Sequence, residues 1–383
     1  MTRTRRATVA MLLVGLAIFS SLYSTQAILP TLVDNMSLSS AEAAMTVSAA
    51  TGALALCVVP ASILSERFGR GRILLISAVA ATGVGLIVPL AQEGWQLIMV
   101  RGLQGALLSG APATAMAWLS EELDDKALPR AMGLYIAGTS VGGLTGRLIP
   151  TGLVEISTWR WALFGSALVS LAFAITSWLL LPTQRNFRPK SIHLKTESRA
   201  LLGHWANRDL ALLFLTAFLS MGTFVSMYNF LTFRLIDDFG LAPSLAGLAF
   251  LFYLTGTWSS ARAGSLVARI GHGKTLFASA VLFALGIALC AGNLPLTLLG
   301  MIAFTVGFFA VHSTASGWVG QIATHDRAEA SSMYVFCYYF GSSVVGACAG
   351  LLFDALSWPL FIAFFTAVAL GLTALTWTKI KSD

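Results

Sequence analysis

The stretch P-A-S-I-L-S-E-R-F-G-R-G-R-I-L-L, Pro60 to Leu75, decides how the rest of the chain is read. It is a short polar hinge between two long apolar runs, with Glu66, Arg67, Arg70 and Arg72 gathered around Gly69. A second version, G-S-L-V-A-R-I-G-H-G-K-T-L, runs from Gly264 to Leu276. Arg67 and Gly69 correspond to Arg269 and Gly271, an offset of 202 residues. That period predicts a chain built twice, with six membrane spans in each half.

Working outward, the 383 residues are 56% apolar and only 11% charged, too few charges to cover a water-soluble surface of this length. Apolar runs of about twenty residues recur along the chain, the length needed to cross a bilayer core of roughly 30 Å. The fold class expected is therefore an all-α integral membrane protein. A net charge of +7 could point to nucleic acid, but the placement of the charges excludes it. Arg3, Arg5, Arg6, Arg67, Arg70, Arg72, Lys126, Arg130, Arg185, Arg188, Lys190, Lys195, Arg199, Arg208, Arg262, Arg269, Lys274, Arg327, Lys379 and Lys381 all fall on one side. The other connections carry mainly acids: Asp34, Glu42, Glu93, Glu155, Asp237, Asp238 and Asp354. The positive-inside rule makes the basic side, with both termini, cytoplasmic. Cys57, Cys290, Cys337 and Cys348 sit inside apolar runs without metal-ligand spacing, so neither a metal site nor a disulfide framework is expected. Arg5 and Arg6 precede a run too long for a signal peptide, which reads as an uncleaved first span.

Twelve helices are expected: 7–30, 41–65, 72–92, 95–119, 130–154, 159–181, 209–233, 243–268, 274–292, 295–321, 328–355 and 358–378. Pro30, Gly94, Pro182, Gly240, Asn293 and Pro359 mark breaks. Residues 1–181 and 209–383 form the two halves. Residues 182–208 form a basic cytoplasmic linker with an amphipathic segment from His193 to Trp205, which could also contact lipid headgroups. The halves echo each other again: Gly105 matches Gly307 at the same offset, and G-T-S-V-G-G at Gly138–Gly143 resembles G-S-S-V-V-G at Gly341–Gly346. Such repeats suggest a transporter with its substrate site between the halves.

The chain resembles the major facilitator superfamily over nearly its whole length. That family's G-x-x-x-D-R-x-G-R-[KR]-[KR] motif between spans 2 and 3 reads here Ser62, Glu66, Arg67, Gly69, Arg70, Gly71, Arg72. The first Gly is Ser and the Asp is Glu. R-x-x-Q-G of span 4 is intact as Arg101, Gln104, Gly105. The span 5 antiporter motif is loosely matched by Gly138, Gly142, Gly143, Gly146 and Arg147. The stretches G-L-Y-I-A-G-T-S-V-G-G-L-T-G-R-L and Y-Y-F-G-S-S-V-V-G look like bacterial inner-membrane efflux permeases. The resemblance implies proton-driven export of a small molecule by alternating access, with no cofactor beyond the proton gradient and a monomer as the unit. It also implies a cavity lined by spans 1, 4, 7 and 10.

The residues themselves suggest roles. Glu66 beside Arg67 and Arg70 could latch the cytoplasmic side, with Gly264, Arg269 and Gly271 as the second copy of that gate. The bland alternative is a topology signal. Arg101 lies about two turns into its span, where a cation faces a partner or a wet cavity, and Gln104 shares its face; the alternative is snorkelling to the surface. Arg147, with Glu155 two turns on, reads as a structural pair, outer gate or substrate contact. The glycines at 138, 142 and 146 predict close helix approach and a sliding contact between the halves. Tyr23, Gln26, Tyr228, Asn229, Tyr338 and Tyr339 are candidates to line the cavity, against a reading as bundle packing. No acid sits at mid-depth in any span, leaving Asp34, Glu66 and His312 as proton-coupling candidates; His312 could equally bond Ser313 or Ser316. Catalytic motifs and a Walker loop are missing. The alternatives are a proton-coupled importer or uniporter of the same fold, or a non-transporting receptor or intramembrane enzyme.

Overall fold

The computed structural model describes residues 2–124, 126–187, 189 and 202–380. The expected amphipathic segment from residue 193 to 201, and Arg188, Lys190, Lys195, Arg199 and Lys381, lie outside them. The chain divides into two compact units, Met1–Ile192 and His193–Asp383, each a bundle of six spans. Among the described residues nine helical segments are long and apolar enough to cross a membrane. The other three spans, 94–122, 128–154 and 243–270, are glycine-rich or broken into pieces.

In the first unit, α1 (Arg3–Leu22) ends at Tyr23, a 3-10 turn (Gln26–Ile28) follows, and α2 (Leu29–Met36) completes the span. The helix expected over 7–30 is thus broken seven residues before Pro30. The other spans are α3 (Ser40–Phe68), α4 (Arg70–Gly85), the pair α5 (Gly94–Leu108) and α6 (Gly110–Glu122), α7 (Leu128–Val154) and α8 (Trp159–Leu180). Ser39 and Glu42 start α3 with a capping box, which satisfies the amides that the helix leaves unpaired. α1 packs along α7 and α8, and α3 along α5.

In the second unit, α9 (Arg208–Phe233) runs into a π-helical turn, Arg234–Asp238. The next span is assembled from α10 (Pro243–Leu248), a 3-10 turn (Ala249–Phe252) and α11 (Tyr253–Ile270). α12 (His272–Leu289), α13 (Leu294–Ile322), α14 (Arg327–Ala355) and α15 (Trp358–Trp377) follow. α9 packs along α14, and α13 along α11 and α12.

The hinge is shorter than its polarity suggests. α3 continues to Phe68 and α4 begins at Arg70, so the connection is Gly69 alone, at φ 102°. Gly271, at φ 86°, does the same between α11 and α12. Both positions require a residue without Cβ strain. Gly69 N–H donates to Ser65 O at 3.0 Å and Gly271 N–H to Val267 O at 2.8 Å, again 202 residues apart. The charged residues flanking each glycine belong to terminal helical turns, where their side chains reach water while the backbone stays helical.

Candidate functional site

The break in the first span is where the first unit's charged core lies. Ser20, Ser21, Ser24 and Thr25 offer side-chain hydrogen bonds that compete with helical ones; Ser24 Oγ donates to Ser21 O at 3.1 Å. Ending α1 inside the bundle leaves carbonyls without helical partners. Arg101 meets them. Its Nη1 donates to Ser21 O at 2.9 Å, its Nη2 to Leu22 O, its Nε to Thr46 O at 3.1 Å, and Nη1 also to Gln104 Oε1. Gln104 Nε2 passes the chain on to Ala81 O at 3.1 Å. Arg101 is 0% exposed. Of the expected settings, a partner, a wet cavity or the surface, Arg101 has the first: it is a buried cap on the negative end of α1. Its neighbour Gln104 lines a cavity of about 10 Å³ with Ser21, Ser24, Ser166 and Ser170, room for one water at most.

Arg147 grips the other side of the same break. Its guanidinium carbon lies 4.0 Å from the Tyr23 ring centroid, Nε donates to Gln26 Oε1 at 2.8 Å and Nη1 to Gly143 O at 2.6 Å. Tyr23, Gln26, Arg101, Gln104 and Arg147 are all buried and all gather within this unit. Thr25 joins them by accepting from Thr46 at 3.1 Å.

The glycines of α7 explain how Arg147 comes so near. A Cβ on Gly138 would strike the backbone of Leu12, one on Gly142 that of Gly15 and Leu16, and one on Gly146 that of Ser20. The stripe seats α7 on α1 inside the first unit, which corrects the expectation of a sliding surface between the halves. Gly143 faces the Arg147 head and Tyr23 instead. Gly105 and Gly307 also part company. Gly105 lies on the backbone of Ala50 in α3, whereas Gly307 lies on the backbone of Phe283 in α12, and Phe309 of α13 packs on Gly256 of α11.

At the basic end of the first unit Arg70 is the hub. It bonds Glu121 Oε1 at 2.5 Å, Glu66 Oε1 at 3.3 Å and Ser65 Oγ at 3.4 Å. Arg67 and Arg72 are exposed, Arg67 lying 5.5 Å from the Phe68 ring, and Ser62 accepts from Ser65 at 2.6 Å through its carbonyl. The start of the expected linker is fastened here: Gly71 N–H donates to Gln184 Oε1 at 2.9 Å, and the amides of Arg185 and Asn186 donate to Glu122 Oε1 at 2.7 and 2.8 Å. Asp34 is exposed on α2, remote in sequence and contacts from this cluster.

The second unit has an aromatic core. Tyr228 is buried among Phe250, Tyr253 and Phe304, and its hydroxyl is 2.8 Å from Thr305 Oγ1. Asn229 is fully buried beside it in sequence. His312, half-buried in α13, has Nδ1 3.1 Å from Tyr334 Oη, with the Tyr338 ring 4.6 Å away. The partner is therefore a tyrosine one helix over, rather than Ser313 or Ser316. Ser313 bonds Ser260. Tyr339 is buried and stacks edge-on against Tyr338 at 5.1 Å.

The sequence profile of the Major Facilitator Superfamily matches residues 11–257 and 212–382. The chain belongs to the major facilitator superfamily. Among facilitator relatives it is 37% identical to "Inner membrane transport protein YnfM" of Escherichia coli (strain K12), covering 95% of this chain and 89% of that one. It is 28% identical to "Multidrug resistance protein MdtG" of Proteus mirabilis (strain HI4320), over 76% of this chain and 73% of that one. A crystal structure of a variant of the nucleoside transporter NupG shares the facilitator fold, with a TM-score of 0.82 at 13% identity, covering 98% and 99% of the two chains. This facilitator chain is thus a multi-pass membrane transporter. Sequence reasoning missed Glu121, Thr46, Tyr253 and Tyr334, none of which stands in a motif. Their only signal is a polar side chain inside or just past an apolar run.

Proposed function

We propose that the protein is a proton-coupled secondary exporter of small organic molecules in a bacterial inner membrane, acting as a monomer with both termini in the cytoplasm and no cofactor. The observation that carries the coupling is the setting of His312. Among the described residues the buried carboxylate of Glu122 lies in the last turn of α6 and is paired with Arg3, whereas His312 sits within a span against Tyr334 of the neighbouring helix. Histidine is the side chain whose ordinary titration falls between pH 5 and 8. Gaining a proton there would recast the contact between α13 and α14, which gives proton movement a mechanical consequence. Export as the direction is supported by the efflux-permease resemblance and the multidrug-resistance relative. The Arg70 hub serves as the latch that one state keeps and the other releases. The lack of an acid at mid-depth in any span supports the second reading, a uniporter of the same fold.

The test begins with a thermal-shift screen of drugs, sugars, amino acids and lipids to select a solute. Proteoliposomes then measure its pH-gradient-driven movement in wild type, His312→Ala and Tyr334→Phe. Loss of gradient-driven accumulation with solute exchange retained is expected in His312→Ala. Full pH-dependent accumulation in that variant would overturn the coupling role.

A further inference from the structure

We propose that a cavity of the second unit, between α11, α12 and α13, binds the headgroup of an anionic membrane phospholipid. The cavity encloses about 510 Å³ and is lined by Trp258, Arg262 and Arg269 of α11, Ser279 and Leu282 of α12, and Val306 of α13. Positions 258, 262 and 269 fall at helical spacing on one face of α11, the two arginines about 10 Å apart along the axis. Arg262 lies 5.3 Å from the Trp258 ring. Among the described residues neither arginine forms an ion pair.

The repeat places no acid beside this charge. In the first unit Arg70 has two acids, Glu66 and Glu121. At the 202-residue offset these positions are Ala268 and Ala323 and Arg70 becomes His272, while the exposed Arg67 becomes Arg269, so the second copy of the hinge keeps a cation at Arg269 and has no carboxylate at the positions that serve the first. Two guanidiniums converging on one cavity suit a phosphate, which takes their donors in paired, charge-assisted bonds. The walls select its carrier. Leu282 and Val306 continue the cavity as apolar surface, and Trp258, Leu266 and Ile270 expose 58%, 39% and 40% of their area on the same helix. A free phosphate has no use for that surface, whereas acyl chains cover it. The phospholipid is also the solvent of a membrane-spanning helix, and basic pockets between spans favour anionic headgroups.

The experiment is native mass spectrometry of the full chain released from nanodiscs of equal dioleoyl-phosphatidylglycerol and dioleoyl-phosphatidylcholine. Wild type should retain phosphatidylglycerol with roughly tenfold or greater preference, and the double variant Arg262→Gln/Arg269→Gln should lose it. Equal retention of both lipids by wild type, or an unchanged preference in the double variant, overturns the proposal. Thermal stabilisation of wild type by sn-glycerol 3-phosphate equal to that by phosphatidylglycerol also overturns it, in favour of a soluble-anion site. Should the double variant fail to fold, brominated phosphatidylglycerol replaces it as the probe. It should quench wild-type fluorescence more than that of Trp258→Phe, and equal quenching refutes the site.

Discussion

Arg101→Lys is the sharpest perturbation of the first unit. The guanidinium reaches the Ser21 and Leu22 carbonyls of α1, the Thr46 carbonyl of α3 and Gln104 on its own helix. Lysine keeps the buried charge and so keeps its desolvation penalty. Its donors, however, sit on one nitrogen and cannot serve α1 and α3 together. At least two of the four bonds are lost. Each hydrogen bond to a charged group contributes about 1.5–3 kcal/mol, so the loss is on the order of 3–6 kcal/mol. In thermal unfolding of the purified protein that amounts to a fall in Tm of roughly 5–15 °C. The exposed Arg67→Lys serves as control and should stay within about 0.5 kcal/mol of wild type. If Arg101→Lys melts with the control, the break in the first span is not held by the fork of Arg101.

Three further outcomes follow from the same geometry. Gly146→Val should abolish folded, monodisperse protein, since its first side-chain atom meets the Ser20 backbone and overpacking of this kind costs about 1–3 kcal/mol or more; normal yield and Tm would remove the α1–α7 contact as the reason for the stripe. Gly152→Ala, where a Cβ meets nothing within 4 Å, should raise stability by about 0.5–1 kcal/mol, read as a small rise in Tm; a fall refutes the packing. Glu121→Gln breaks a partly exposed pair with Arg70, so stability should change by under about 1 kcal/mol while the transport rate changes several-fold; an unaltered rate discards the latch.

Much of this architecture was legible because apolar length and charge placement are local properties. The duplicated hinge announced both units through Gly69 and Gly271, whose backbone only glycine adopts without strain. The break at Tyr23 was not legible, because no proline or glycine makes it; two arginines from other helices do. For the same reason Arg101 and Arg147 were recognisable as important but not as clamps on α1, since their partners are mostly backbone carbonyls, which every sequence has. The Gly138, Gly142 and Gly146 stripe predicted a close neighbour but could not name α1, because small residues specify distance and not identity. Glu121 and Tyr334 were hidden because each acts through one side chain on a neighbouring helix, at a spacing that only tertiary packing sets.

Proteoliposomes with a trapped pH dye test the central claim most directly, because the sign of the proton flux does not depend on the orientation of insertion. When the screened solute is added outside, exchange for protons predicts that the lumen turns alkaline, and that a protonophore abolishes the signal. An acidifying lumen would mean that solute and proton travel together, and solute entry without any pH change would mean that no proton is coupled; either contradicts the account.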